Sequence, residues 1–197
     1  MTSRIAALSL LVGLALTGCG SAGDAVDSPG SEATGTPASA STTSVPAADG
    51  ETVEGDGYSY RIPEGWGEPD EEVAGFDPDT LISQDDVSDG FGDNLNVLKL
   101  PAPPDADADA VEEQALQELR AVGATEVEVG ERAVIDGAEA AHVSGVMSLG
   151  SQKYTIEQYY PVRDDSLYVA TFSFSPTVDQ AARDDLARSV LASWQWS

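Results

Sequence analysis

Ala138-Glu-Ala-Ala-His-Val-Ser-Gly-Val-Met-Ser-Leu149, Lys153-Tyr-Thr-Ile-Glu-Gln-Tyr-Tyr-Pro-Val162 and Leu167-Tyr-Val-Ala-Thr-Phe-Ser-Phe-Ser175 decide the fold. Each stretch is rich in β-branched and aromatic side chains, which favour a pleated surface. Gly150-Ser151 and Arg163-Asp164-Asp165-Ser166 interrupt them with turn chemistry. The reading is a meander of three antiparallel strands. Immediately before it, Asp136-Gly137 is a two-residue hairpin signal, and Glu126 to Ile135 holds two short alternating strands around Gly130.

Further upstream the period changes. Val111, Ala115, Leu119 and Val122 fall on one helical face. Asp105, Asp107 and Asp109 precede them, where acids complement the helix dipole, and Gly123 follows as a C-terminal cap. Before this helix, Asn94 to Leu100 and Thr80 to Ser83 are strand candidates, flanking the turn-rich loop Asp85 to Asp93. Tyr58, Tyr60 and Ile62 alternate with polar neighbours as an edge or first strand. Pro63-Glu64-Gly65 then turns the chain, and Trp66 is placed to fold back as a core plug. After the meander, Thr177 to Ser193 predicts an amphipathic helix, with Thr177 and Gln180 as a capping box. Its apolar stripe is Val178, Ala182, Leu186, Val190 and Trp194. Together these predict an α+β domain, an antiparallel sheet of six or seven strands covered by two long helices.

The order of these motifs carries a resemblance. An aromatic strand runs into Ile62-Pro63-Glu64-Gly65-Trp66, followed by an acidic loop and a strand–helix unit. A Val134-Ile135-Asp136-Gly137 hairpin leads into the long meander, and the last helix closes on Ser189 to Ser193 and Trp194. Over residues 53–197 this resembles the PsbP-like (Mog-type) α/β/α sandwich, in the form of the LpqN/LpqT group of actinobacterial envelope lipoproteins. The resemblance implies an interaction or assembly module without catalytic residues. It carries no family site onto particular positions here.

The N-terminal part has a separate logic. Arg4 precedes an apolar run from Ile5 to Leu16, which ends in Leu16-Thr17-Gly18-Cys19. That run is short of the roughly 20 residues a bilayer-spanning helix needs. It reads as a lipoprotein signal over residues 1–18, with Cys19 as the lipidated first mature residue. Cys19 is the only cysteine, so acylation leaves no thiol for a disulfide, a nucleophile or a metal. Attachment to the bilayer through acylated Cys19 places the protein on the extracytoplasmic face of the cell membrane. Residues 19–50 are rich in Ser, Thr, Ala, Gly and Pro and are expected to form a disordered tether. As a flexible coil the tether would span about 30 Å. The globular domain is assigned to 51–197.

Charge narrows the partners. The chain has 35 acidic residues against 9 basic ones, a formal charge of −26. Such a field repels nucleic acid, and the sequence has no basic–aromatic patch to offset it. No phosphate loop or dinucleotide fingerprint occurs, and no cofactor is implied. His142 is the only histidine and shares a strand face with Ser144, two residues on. A Ser-His-Asp hydrolase would also need an orienting carboxylate and an oxyanion hole, and no Gly-x-Ser-x-Gly elbow is present. One histidine without a free thiol makes a poor zinc set. The series Asp105, Asp107, Asp109 opens like a calcium loop but has Ala110 at position six and Leu116 at position twelve. Asp85, Asp89 and Asp93 leave a loose, weak calcium site as the one metal reading. Trp66, Trp194 and Trp196 cluster at element ends, where residues left outside the core could line a groove for ligand. The sequence therefore points to a non-catalytic binding module for an envelope protein, lipid or glycan. The second reading is a carrier or sensor of a small apolar or glycolipid ligand, and the third a hydrolase.

Overall fold

The computed structural model describes residues 45–69, 75–104 and 106–197. The lipobox, the tether as far as residue 44 and Asp105 lie outside the described residues. In chain order the elements are β1 (Thr52–Gly55), β2 (Tyr58–Arg61), β3 (Trp66–Gly67), β4 (Thr80–Gln84), β5 (Asn94–Pro101) and α1 (Ala108–Ala121). There follow β6 (Thr125–Val129), β7 (Ala133–Ile135), β8 (Ala138–Leu149), β9 (Gln152–Arg163), β10 (Ser166–Phe174), α2 (Gln180–Ser193) and β11 (Gln195–Trp196).

Eight strands form the main antiparallel sheet, in the order β3-β4-β5-β10-β9-β8-β6, with β7 also pairing β8. The meander is its centre, as the hydrophobic pattern predicts. Asp136 (φ 43°) and Gly137 (φ 83°) both take positive φ, so the β7–β8 hairpin turns with the hand that suits twisted strands. The alternation on these strands feeds two cores. Ala141, Val143, Ile156, Tyr160, Leu167 and Val169 face α1, which buries Val111, Ala115 and Leu119 against them. Ala140, Tyr159, Tyr168, Ala170, Phe172 and Phe174 face the other way, into a core closed by α2 and a second sheet.

That second sheet was not legible. Tyr58–Arg61 is predicted to open the main sheet. Instead it is the middle strand of a three-stranded sheet, β1-β2-β11, whose outer strands are too short for a periodicity signal. Tyr58 and Tyr60 are wholly buried beneath it, and Tyr58 stacks on Trp194 at 4.4 Å between ring centroids. The packed chain reaches back past Glu51: Ala48 is buried and its N–H donates to the Ser189 carbonyl at 2.9 Å.

The last helix also differs from its prediction in detail. It starts at Gln180, capped by Asp179, whose carboxylate accepts from the Ala182 N–H at 3.0 Å. Thr177 does not cap; its hydroxyl donates to Asp89 Oδ2 at 3.0 Å and lies 2.9 Å from Ser175 Oγ. The buried face is Ala187, Val190, Leu191 and Trp194, while Ala182 is exposed. A stripe of strict four-residue steps drifts around a 3.6-residue helix, so Ala182 leaves the core, while Val178, ahead of the helix, packs against it.

Candidate functional site

α2 covers only part of its sheet face. On the α2 side β8 presents His142, Ser144 and Val146, and β9 presents Thr155, Glu157 and Tyr159. Polar side chains there interrupt the apolar layer; His142 and Glu157 are buried, while Ser144, Val146 and Thr155 stay half-exposed beside the helix. The result is a groove of about 610 Å³ with these residues as its floor. One wall is β6 and the turn after it, from Glu126 to Glu131; the other is α2, with Gln180, Arg183, Asp184 and Arg188.

The floor is a fixed array. Glu157 is only 3% exposed, and its two carboxylate oxygens serve different partners. Oε1 accepts from Arg183 Nε at 3.1 Å and Oε2 lies 2.9 Å from His142 Nε2. Arg183 also donates to the Val178 carbonyl at 2.8 Å, which fixes the guanidinium to the start of α2. His142 Nδ1 meets the Glu131 carbonyl at 3.2 Å, and the ring stacks on Tyr159 at 4.2 Å. Gly130 makes room for the ring: a Cβ there would stand 2.1 Å from Nδ1. Above the floor, Arg188 pairs with Glu131 at 3.1 Å. Burial lifts the Asp184 carboxyl above its usual range and Glu157 adds to this, opposed by Arg188, His142 and Arg183.

This arrangement does not form a hydrolytic triad. Ser144 lines the same groove as His142, as their spacing predicts, and Glu157 supplies a carboxylate. Both ring nitrogens, however, face protein oxygens rather than Ser144. A serine nucleophile needs a nitrogen lone pair within hydrogen-bond reach, and neither nitrogen is directed to it. The array can instead hold its walls in place and offer hydrogen bonds and charge to a bound group. Glu157 and Arg183 were missed in the sequence. Glu157 lies directly across from Ser144 in the β8–β9 register, a signal available only once that register is known.

The other expected site residues are scattered. Trp194 is buried in the aromatic core, 5.5 Å from Trp196. Trp196 is half-buried, donates from Nε1 to the Ile135 carbonyl at 3.1 Å and packs on Tyr168. Trp66 lines a separate shallow groove of about 430 Å³, with Val53, Ile62, Pro63 and neighbouring residues. The three tryptophans therefore do not line one pocket. Asp89 and Asp93 both approach Ser175, Asp93 accepting from its N–H at 2.7 Å. Asp89 is held below the usual carboxylate range, chiefly by the Ser175 side chain. Burial pushes Asp93 the other way. Among the described residues no three His, Cys, Asp or Glu side chains converge to hold a metal, so Asp85, Asp89 and Asp93 are not brought together as ligands. Cys19 lies outside the described residues.

Solved structures carry the same architecture. LpqN of Mycobacterium tuberculosis, described as involved in cell envelope biogenesis, matches at 16% identity and a TM-score of 0.53, over 74% of this chain and 88% of that one. The cyanobacterial PsbP of Synechocystis matches at 17% and 0.51, over 72% and 87%. The fold is PsbP-like. A structure from Bacteroides thetaiotaomicron matches at 16% and 0.46 over 71% of this chain, which spans only 45% of that protein. No family model matches, and no curated protein does. At these identities the likeness concerns the PsbP-like fold alone.

Proposed function

We propose that the chain is a lipid-anchored, non-catalytic module of the cell envelope, held on the extracytoplasmic face through Cys19. On this reading it binds an envelope partner in the groove between α2 and β6. The observation that carries the reading is the floor of that groove. The α2 side of the sheet is polar and partly open at one end, where Arg183 holds a buried Glu157–His142 pair, while its other end is sealed by aromatic side chains. The lipobox supports the location, and so does the shared fold with a protein of envelope biogenesis. Among the described residues no helix is long and apolar enough to cross a membrane. The groove between α2 and β6 is open and lined largely by polar groups, which favours a binding module over an apolar carrier.

The test is a photo-crosslinking residue at Ser144 in the full chain on intact cells, compared with one at the exposed Val134. Discrete adducts from Ser144 alone are expected; the same pattern from both positions would overturn the reading. An adduct of lipid mass would move the assignment to the carrier. Cys19→Ala is expected to release the protein from the membrane fraction.

A further inference from the structure

Two independent features meet at β6. The first is an open strand edge. β6 ends the main sheet: it pairs β8 on one side, and among the described residues no strand pairs its other side. Its residues are exposed apart from Val127, and Val129 is 48% exposed. Such an edge offers free backbone donors and acceptors to an added strand.

The second feature is the charge of the groove that β6 walls. Five carboxylates line it (Glu126, Glu128, Glu131, Glu157 and Asp184) against two guanidinium groups. Both guanidinium groups are already engaged, Arg183 by Glu157 and Arg188 by Glu131. Glu126, Glu128 and Asp184 have no cation within salt-bridge distance among the described residues. Glu126 and Glu128 sit on the open strand itself. A second copy of a chain of charge −26 would bring like charge to this edge, so self-pairing is opposed. A strand of opposite charge is not.

We infer that the edge of β6 and the adjoining groove take an extended basic segment of a partner protein, which adds to the sheet beside β6. Its lysine or arginine side chains stand across from Glu128, where β6 is regular, and reach toward Asp184 and toward Glu126, which sits in the bulge between Thr125 and Glu128 at φ 54°. This rests on the groove being the binding surface and names the chemistry of its occupant. Cross-strand pairs of opposite charge stabilise such an addition, and the field of the whole chain steers a basic segment toward it.

The experiment uses the full chain and a short fluorescein-labelled peptide of alternating lysine and valine, read by fluorescence anisotropy. Saturable binding is expected, weakening as salt is added. The glutamate–valine counterpart is expected not to bind. Glu126→Lys with Glu128→Lys should lower affinity at least tenfold. Glu51→Lys with Glu54→Lys makes the same change of charge on exposed residues of the N-terminal segment, and should stay within twofold. A lysine–valine peptide N-methylated along one edge keeps its charge but cannot pair as a strand, and should lose binding. Circular dichroism confirms that each variant is folded. Equal loss in both double variants would reduce the effect to the overall field and overturn the inference. Full binding of the N-methylated peptide would exclude strand addition and overturn it as well. If Ser144 still crosslinks a discrete partner while the basic peptide does not bind, the groove keeps its role and only the basic occupant falls.

Discussion

The two faces of the main sheet are covered in different ways. α1 lies over an apolar cluster, with Val111, Ala115 and Leu119 against Ala141, Val143 and Ile156. The opposite face is divided. Under β2 and the end of α2 it is aromatic, with Tyr168, Phe172 and Phe174 packed below Tyr58, Tyr60 and Trp194. Toward β6 it turns polar, and there the covering helix leaves it open. Both faces obey the same two-residue period. What differs is the chemistry from strand to strand: the α2-side positions of β10 run Tyr168, Ala170, Phe172, Phe174, while those of β8 run Ala140, His142, Ser144, Val146. A groove arises where a strand keeps the period and gives up the apolar side chain.

The contrast is broken most severely at its aromatic end. Phe172→Ala should cost about 3–5 kcal/mol, and Ile156→Ala on the α1 side about 2–5, both read by urea unfolding. A negligible loss at Phe172 would mean that the small sheet does not seal that face. Within the polar end, Glu157→Ala leaves a guanidinium and an imidazole without their shared carboxylate, and should cost about 3 kcal/mol. Gly130→Ala drives a methyl group into the His142 ring and should cost about 1–3 kcal/mol. Its chemical-shift changes should concentrate at His142 and Tyr159.

Smaller effects separate the two candidate caps of α2. Asp179→Ala should lose about 1 kcal/mol, and Thr177→Ala less. The reverse ranking would restore the capping box. The smallest effect is a pH dependence. Burial raises the Asp93 carboxyl from its ordinary 3.8, so the folded protein disfavours the ionised form. Its contribution is therefore favourable at low pH and is lost as pH rises through the raised value. Asp93→Asn keeps an acceptor for the Ser175 N–H but carries no charge. Its stability relative to the parent should improve as pH climbs from about 4 toward neutral. An unchanging gap across that range would show that Asp93 does not titrate with folding.

Much of this division could be read before the structure. The meander, α1 with Val111, Ala115 and Leu119 buried, the Gly123 cap and the Asp136-Gly137 hairpin all follow from local rules. Trp66 enters the core as its turn predicts. Local rules fail where a residue is fixed by something distant. β11 is two residues long and exists only because β2 is there to receive it. Thr177 satisfies the capping pattern, but a loop acid from far upstream claims its hydroxyl. His142 and Ser144 were correctly placed on one face, yet what His142 does depends on Glu131, Glu157 and Tyr159, which no spacing connects. The tryptophans were singled out by their position at element ends, and burial claimed Trp194 instead.

β1 and β11 flank β2, so an early hairpin and a late strand share one small sheet. The Arg61 N–H reaches Ser193 Oγ at 2.9 Å across 132 residues of sequence. Loops of that span close late and slowly. During synthesis Tyr58 and Tyr60 therefore emerge long before Trp194 exists to cover them. A chain interrupted before Trp194 lacks the indole that stacks on both rings, and its uncovered aromatic surface is a signal for chaperones and proteases. The folded state thus reports that the chain has been made as far as Trp194.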